Sequence, residues 1–215
     1  MIVAIDGPAG VGKSSIARKI AEKTKFLYIN SGSFYRAITL IYFEQQLSIE
    51  EPHSIIAAAR NLHFSLKNGR LLLDGRDVED ALYNDQVDSL VAKVSAIPEL
   101  REIVNASLRK AARGLDAVVE GRDITTVVFP DAEVKIYLDA SVETRARRRF
   151  EQGVSNLALN EIIKSIKNRD EIDKNKQEGK LKIAADAFYL DTSDLTIDEV
   201  CEKVLWKIRQ KEKQK

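Results

Sequence analysis

The sequence predicts an α/β fold built on a five-stranded parallel sheet with flanking helices. Three observations carry this. Short apolar runs of strand length recur, each bounded by turn residues or followed by a helical pattern, as buried parallel strands with crossover helices require. A glycine-rich loop, Gly7 to Gly12, joins the first run to the first helical pattern. One stretch, from about His63 to Val78, departs from the alternation and reads as a small antiparallel insert.

The predicted strands are Ile2–Ile5, Phe26–Ile29, Ala117–Val119, Val134–Leu138 and Ala187–Leu190, and the first helical pattern is Ser15–Lys23. In the insert, Phe64-Ser65-Leu66 and Leu71-Leu72-Leu73 flank Asn68-Gly69, whose side chains suit a tight hairpin turn. Helical patterns at Ser54–Leu62 and Pro98–Arg113 surround it, with Pro98 suited to a first helical turn. Residues 36–108 are therefore expected to form a subdomain outside the parallel sheet, with the insert near 63–78. The core is expected to comprise 1–35, 109–149 and 161–215, and residues 150–160, between two charged helices, have the size of a short mobile lid. The last helix is the clearest: Ile197, Val200, Cys201, Val204, Leu205 and Ile208 recur at helical spacing behind a Thr196-x-x-Glu199 capping box, with Trp206 expected to pack. The tail beyond Arg209 is expected to be frayed and solvated.

A chain of 215 residues holds one full-sized domain and a small second element. Its 34 Lys and Arg balance 33 Asp and Glu, so no global field draws a polyanion and general nucleic-acid binding is disfavoured. The single cysteine, Cys201, reads as a small core residue, and neither His53 nor His63 has a partner for acid–base work. No export signal and no apolar run of membrane-spanning length occurs, so a cytoplasmic protein without a membrane partner is expected. No apolar interface stripe is left over, and a monomer is expected.

Gly7-Pro8-Ala9-Gly10-Val11-Gly12-Lys13-Ser14 satisfies G-x-x-x-x-G-K-[ST] in the required place, after a strand and before a helix. The glycines let successive N–H groups turn inward, and the following helix presents its positive end to the same phosphates. A P-loop NTPase-type core is thus expected, with Gly7, Pro8, Ala9, Gly10, Val11, Gly12, Lys13, Ser14 and Ser15 binding a nucleoside triphosphate. Lys13 would reach the β and γ phosphates, and Ser14 would offer its hydroxyl to Mg2+. The loop alone leaves open whether the γ phosphate goes to water, to a small acceptor or to a switch.

Two motifs follow strand ends, where ligands collect in such sheets. Asn30-Ser31-Gly32-Ser33-Phe34-Tyr35-Arg36 follows the second strand, and Glu120-Gly121-Arg122-Asp123 the third. Each carries an arginine able to fork onto a phosphate. Ser31 and Tyr35 could hydrogen-bond an acceptor, although Tyr35 also reads as a core aromatic. Asp123 could orient an arginine or a sugar hydroxyl.

Over nearly its whole length the chain resembles the bacterial cytidylate kinases, nucleoside monophosphate kinases of the P-loop class. The resemblance rests on IDGPAGVGKSS at 5–15, SGSFYRA at 31–37, SAIPELR at 95–101, EGRDITTVVFPDAEVKIYLDAS at 120–141 and NRDEIDKNK at 168–176. It implies phosphoryl transfer from ATP to CMP or dCMP in pyrimidine nucleotide metabolism, with a monophosphate-binding subdomain and a lid. By position, Arg36, Arg101 and Arg122 match arginines that the family directs to the acceptor phosphate or its surroundings. Ser31, Gly121 and Asp123 fall where the family holds the acceptor nucleotide, and Arg169 and Asp173 where it engages the phosphate and pentose. Lys13, Arg122, Asp123 and Arg169 are the candidate catalytic residues. Ala92 replaces a serine common in the family, Lys176 an arginine, and Asn30 an aspartate.

Other matches compete with plainer readings. Gly75-Arg76-Asp77 repeats the Gly-Arg-Asp tripeptide inside the insert and reads as a turn. Arg145, Arg147, Arg148 and Arg149 form a basic run whose helical spacing cannot aim all four at one ligand; Arg145 and Arg149 are expected to close on the triphosphate. Arg169 and Asp173, four apart, also suit a helical ion pair.

Overall fold

A computed structural model of the chain describes residues 1–67, 69–151, 153 and 157–214. In chain order the elements are β1 (Ile2–Asp6), α1 (Lys13–Thr24), β2 (Leu27–Asn30), α2 (Ser31–Glu44), α3 (Pro52–Arg60), β3 (Phe64–Lys67), β4 (Arg70–Leu73), β5 (Arg76–Asp77), α4 (Asp85–Val94), α5 (Pro98–Ala112), β6 (Ala117–Gly121), β7 (Val134–Asp139), α6 (Val142–Glu151), α7 (Leu159–Asn175), β8 (Phe188–Asp191) and α8 (Ile197–Glu212). A 3₁₀ helix covers Glu79–Leu82 and a π-helical turn covers Ile124–Val128. The chain divides into two compact units, Met1–Tyr28 with Leu115–Lys215, and Ile29–Gly114.

In the first unit the sheet order is β2-β6-β1-β7-β8, and β1 lies parallel to both β6 and β7. The strands are apolar on both faces because helices cover both: Val3, Ile5, Val118, Ile136 and Leu138 are fully buried. Ile16, Ala17, Ile20 and Ala21 of α1 meet Val200, Cys201, Val204, Leu205 and Ile208 of α8 in one apolar cluster with these strands. On the surface above it, Lys19 pairs with Asp198, and Lys23 with Glu202 at 2.7 Å. The capping box forms as expected, with Glu199 N–H donating to Thr196 Oγ1 and Thr196 N–H to Glu199.

Two expectations for α8 fail. Trp206 is half exposed, because it stands on the side of α8 away from the buried Val204, Leu205 and Ile208. The helix also continues past Arg209 to Glu212, since Gln, Lys and Glu are good helix formers that need no packing to hold one more turn. Between β7 and β8, α6 and α7 form a hairpin over a small cluster of Ala146, Ile162 and Ile166. Of the expected lid at 150–160, residues 152 and 154–156 lie outside the described residues. Among the described residues no helix is long and apolar enough to cross a membrane.

The second unit packs α2 against α3, α4 and α5, with β4 against α2 and β3 against α5. Its fully buried side chains include Phe34, Ile38, Ile55, Leu71, Leu82, Leu100 and Leu108. Phe64 and Phe34 rings lie 5.0 Å apart and join the small sheet to α2. The hairpin closes with Lys67 opposite Arg70, which places Gly69 at φ 73°; Asn68 lies outside the described residues. The sequence reading missed β5: Asp74 and Gly75, both at positive φ, turn the chain so that Arg76 and Asp77 add a third short strand. Arg76 pairs with Glu44 at 2.8 Å and Asp77 with Arg70 at 2.5 Å, so this Gly-Arg-Asp is structural, with Gly75 in the turn and Arg76 and Asp77 in the strand rather than the turn the sequence suggested.

The order of β1 and β7 in the sheet makes Leu138 a test of the first unit's core. Leu138→Ala should lower unfolding free energy by about 2–5 kcal/mol, the usual cost of such a cavity, with an unchanged denaturant slope in a urea titration.

Candidate active site

The parallel register sets Ile2 opposite Ala117 and Asp6 opposite Gly121. Two segments therefore leave the sheet side by side: the glycine-rich loop after Asp6, and Arg122-Asp123 after Gly121. Gly7 is required by space, since a Cβ there would lie 2.2 Å from the Leu138 carbonyl oxygen on β7. Gly12, at φ 93°, ends the loop in the left-handed region and serves as the N-cap of α1 without any capping side chain. The first intrahelical bond runs from Ile16 N–H to Gly12 O at 3.1 Å. Lys13, Ser14 and Ser15 thus have no acceptor within the helix for their N–H groups, and no acidic side chain stands in its first turn. The result is a helix end with its positive pole uncompensated and three N–H donors to offer.

Lys13 is buried, 6% exposed, and its Nζ donates to Gly7 O at 2.8 Å and Pro8 O at 2.7 Å. Burial first, and the Arg122 charge second, push its ammonium well below the ordinary lysine value, against the carboxylates of Glu120, Asp173 and Asp6. Glu120, on buried β6, accepts from the Tyr28 hydroxyl at 2.5 Å. Asp6, fully buried at the end of β1, accepts from Ile124 N–H at 2.9 Å, Thr125 N–H at 2.7 Å and Thr125 Oγ1 at 2.6 Å. It pins the π-helical turn that follows Arg122-Asp123. Desolvation raises its pKa to about 6 although these three bonds pull it down.

Arg122 Nε donates to Asp173 at 2.8 Å, and Lys176 Nζ to the other Asp173 oxygen at 2.7 Å. Burial alone would push the Asp173 carboxyl up, but Arg122, Lys176 and Arg169 together hold it well below the usual carboxylate range. Desolvation likewise disfavours the Arg122 charge, and Asp173 together with Glu120 and Asp170 more than offsets it, so the guanidinium pKa is raised. Asp173 sits on α7 four residues after Arg169, and its ion-pair oxygens go to Arg122 and Lys176.

The basic run on α6 splits as helical spacing requires. Arg145 turns inward and is buried: Nε donates to Ala140 O at 3.0 Å, Nη1 to Ala9 O at 2.8 Å, and Nη2 pairs with Asp170 at 2.7 Å. Arg148 donates to Thr192 O at 2.5 Å and Thr192 Oγ1 at 3.2 Å, which ties α6 to the segment after β8. Arg147 is exposed and Arg149 half-buried. Asp123 and Gly121 are buried, and Ser14 and Ser15 are exposed.

Ser31, Tyr35, Arg36 and Arg101 belong to the other unit. Asn30 caps α2 by accepting from Gly32 N–H at 2.8 Å, a role any short polar acceptor fills, so it tolerates the change from aspartate. Ser31 and Tyr35 are buried on α2. Arg36 donates to Leu82 O at 2.9 Å and to Asp88 at 2.5 Å, with its guanidinium 4.9 Å from the Tyr83 ring centre. Arg101, on α5, donates to Ser95 O at 3.0 Å and lies 5.7 Å from the Tyr35 ring centre.

The cytidylate kinase family model matches residues 3–210. A cytidylate kinase of Caldanaerobacter subterraneus is 43% identical over 98% of this chain and 96% of its own length, and one of Borreliella burgdorferi is 44% identical over 98% of both. The chain belongs to the cytidylate kinase family.

The cytidylate kinase match spans both units. A solved shikimate kinase from Bacteroides thetaiotaomicron, 11% identical over 97% of this chain and 98% of its own, superposes with a TM-score of 0.51 and shares the fold. Within this site, sequence reasoning overlooked Asp6, Glu120 and Asp170. Asp6 and Glu120 carried a readable signal, each being an acid at the end of an otherwise apolar strand. Asp170 carried none, because its partners are distant in sequence.

A carboxyl whose folded pKa is raised stabilises the fold below its unfolded value, and that contribution is lost as pH rises through the folded one. For Asp6 the window runs from about 4 to about 6. Between pH 4 and pH 7, wild type should therefore lose about 2–3 kcal/mol of unfolding free energy relative to Asp6→Asn, as urea titrations at each pH would show.

Proposed function

We propose that this chain is an ATP-dependent nucleoside monophosphate kinase that transfers the γ-phosphoryl group of ATP to CMP or dCMP, yielding CDP or dCDP. The observation that carries the reading is the β1–β6 register, which starts the phosphate loop and the Arg122-Asp123 pair from adjacent strand ends. The curated relatives bear the name cytidylate kinase over nearly their full lengths.

Gly7 to Ser15 bind the triphosphate through loop amides and the α1 N-terminus, with Lys13 on the transferred group. A polyanion beside Lys13 restores the charge that burial disfavours. Mg2+ suits the donor set: Ser14 offers an exposed hydroxyl oxygen, and the described residues contain no cluster of three acidic, His or Cys ligands, as expected of an ion held mainly by substrate phosphates. When bound, Mg2+ neutralises charge on the phosphates.

The unit Ile29–Gly114 is read as the monophosphate-binding subdomain and residues 150–160 as a lid. Arg36 and Arg101 bind the acceptor phosphate, Ser31 and Tyr35 its nucleotide, and Asp173 its pentose. Arg122 and Arg169 stand at the transferred phosphoryl group, with Asp123 orienting them, and Arg149 closes on ATP. A phosphate monoester is already largely ionised at neutral pH, so no strong general base is needed. Alignment and charge neutralisation carry the rate, because the loose transition state spreads charge over oxygens that N–H and guanidinium groups meet.

In an ADP-release assay with ATP and Mg2+, CMP and dCMP should stimulate turnover strongly, and UMP, AMP, GMP and dTMP weakly. Equal turnover with no acceptor at all would sink the kinase reading in favour of a hydrolase or switch. Lys13→Ala and Arg122→Ala should each lower kcat/KM by roughly a hundredfold or more while the far-UV spectrum is retained. Near-normal kcat/KM in folded Arg122→Ala would remove that residue from the transition-state site.

A further inference from the structure

We propose that Arg145 and Asp170 act as one positioning pair that sets the shape of the phosphate loop by holding Ala9, and that neither touches the nucleotide. The inference rests on the reading of this loop as the ATP site. Ala9 is held on both sides. Its N–H donates to Asp170 Oδ1 at 3.3 Å and its carbonyl accepts from Arg145 Nη1 at 2.8 Å, so two consecutive peptide planes at the loop's crown are fixed. The two holding side chains are joined to each other at 2.7 Å and are 3% and 6% exposed. Each comes from a different arm of the α6–α7 hairpin, Arg145 from α6 and Asp170 from α7.

The guanidinium of Arg145 has no nitrogen left idle: Nε is on Ala140 O, Nη1 on Ala9 O and Nη2 on Asp170. Reaching a ligand with any of these nitrogens would require breaking a buried ion pair with Asp170. Packing enforces the same contact. A Cβ on Gly10 would lie 3.4 Å from Arg145 Cβ and 3.7 Å from Ile166 Cδ1, so the loop's crown lies directly on the hairpin. A loop of glycines is floppy by itself, and its amides bind phosphate well only when their directions are fixed beforehand. The pair supplies that fixation, and it links the loop to both helices that border residues 152–158.

The test is a double-mutant cycle on Mg·ATP affinity, read by calorimetry, with KM for ATP and for CMP measured beside it. Arg145→Met and Asp170→Asn should each weaken Mg·ATP binding about tenfold to a hundredfold and leave KM for CMP at saturating ATP nearly unchanged. The double variant should be no weaker than the worse single one, because both act through one contact. Arg145→Lys should fail to rescue, since one ammonium nitrogen cannot span acceptors that Arg145 reaches with three separate nitrogens, and as the milder change it also serves if the Met variant does not fold. Unaltered affinity in Asp170→Asn, losses that multiply in the double variant, or near-normal affinity in Arg145→Lys would each overturn the pair. Wild type that binds Mg·ATP yet shows no CMP-stimulated turnover would refute the acceptor reading alone, and the cycle would still decide the pair.

Discussion

The rest of the structure is arranged around the cost of keeping Lys13 charged in a buried place. An ammonium out of water needs either acceptors or counter-charge, and its pKa falls when it has too little of either. Lys13 takes two loop carbonyls, Gly7 O and Pro8 O, and lies among Glu120, Asp173 and Asp6. Even so, burial and Arg122 outweigh these, which leaves the site short of negative charge. A site in that condition gains most from a polyanion, and the bare N–H groups of the first turn of α1 point the same way.

The sheet solves the gathering problem with register alone. Because Asp6 stands opposite Gly121, no long connection is needed to bring the loop and Arg122-Asp123 together. Asp6 then does a second job across that register by accepting three hydrogen bonds from Ile124 and Thr125. A carboxylate accepts through both of its oxygens, as here, whereas an amide at the same point accepts through one only. Its raised pKa measures the cost of the arrangement, since a buried acid with weaker bonds would be neutral. On the opposite side of the loop, Arg145 and Asp170 hold Ala9. Strand register thus fixes where the loop starts, and the α6–α7 hairpin fixes the direction of its crown.

Most of the fold was legible because it is written in local patterns. All five strands of the parallel sheet, the hairpin and the α8 capping box follow from apolar periodicity, turn residues and caps. What escaped depends on neighbours that local patterns do not encode. The strand β5 is only Arg76-Asp77, too short for a period, and is made by a positive-φ turn at Asp74-Gly75. Trp206 was expected to pack because it is large and apolar, yet the face it occupies was decided by the cluster from Val200 to Ile208. At the site, the phosphate loop was readable because its geometry is local. The arginine run was readable only in part: spacing showed that the four could not share one ligand, but Arg145 and Arg148 were placed by carbonyls at Ala9, Ala140 and Thr192 that come from three other segments.

That sorting bears on how a chain with formal net charge +1 handles polyanions. If all its arginines were loose on the surface, its attraction for phosphate would be long-ranged, screened by salt and poorly selective. Instead Arg145 and Arg148 are committed to carbonyls, Arg122 to Asp173, and Arg36 to Asp88 and Leu82 O. Each of these cations is held at a known place by a carbonyl or a carboxylate. Attraction becomes a matter of close-range hydrogen-bond geometry, where a guanidinium fork or a row of amides fits one phosphate arrangement and not another. The buried carboxylates, which seem to oppose anion binding, are what make that geometry possible, because without Asp173 and Asp170 the arginines they hold would be free to turn toward water.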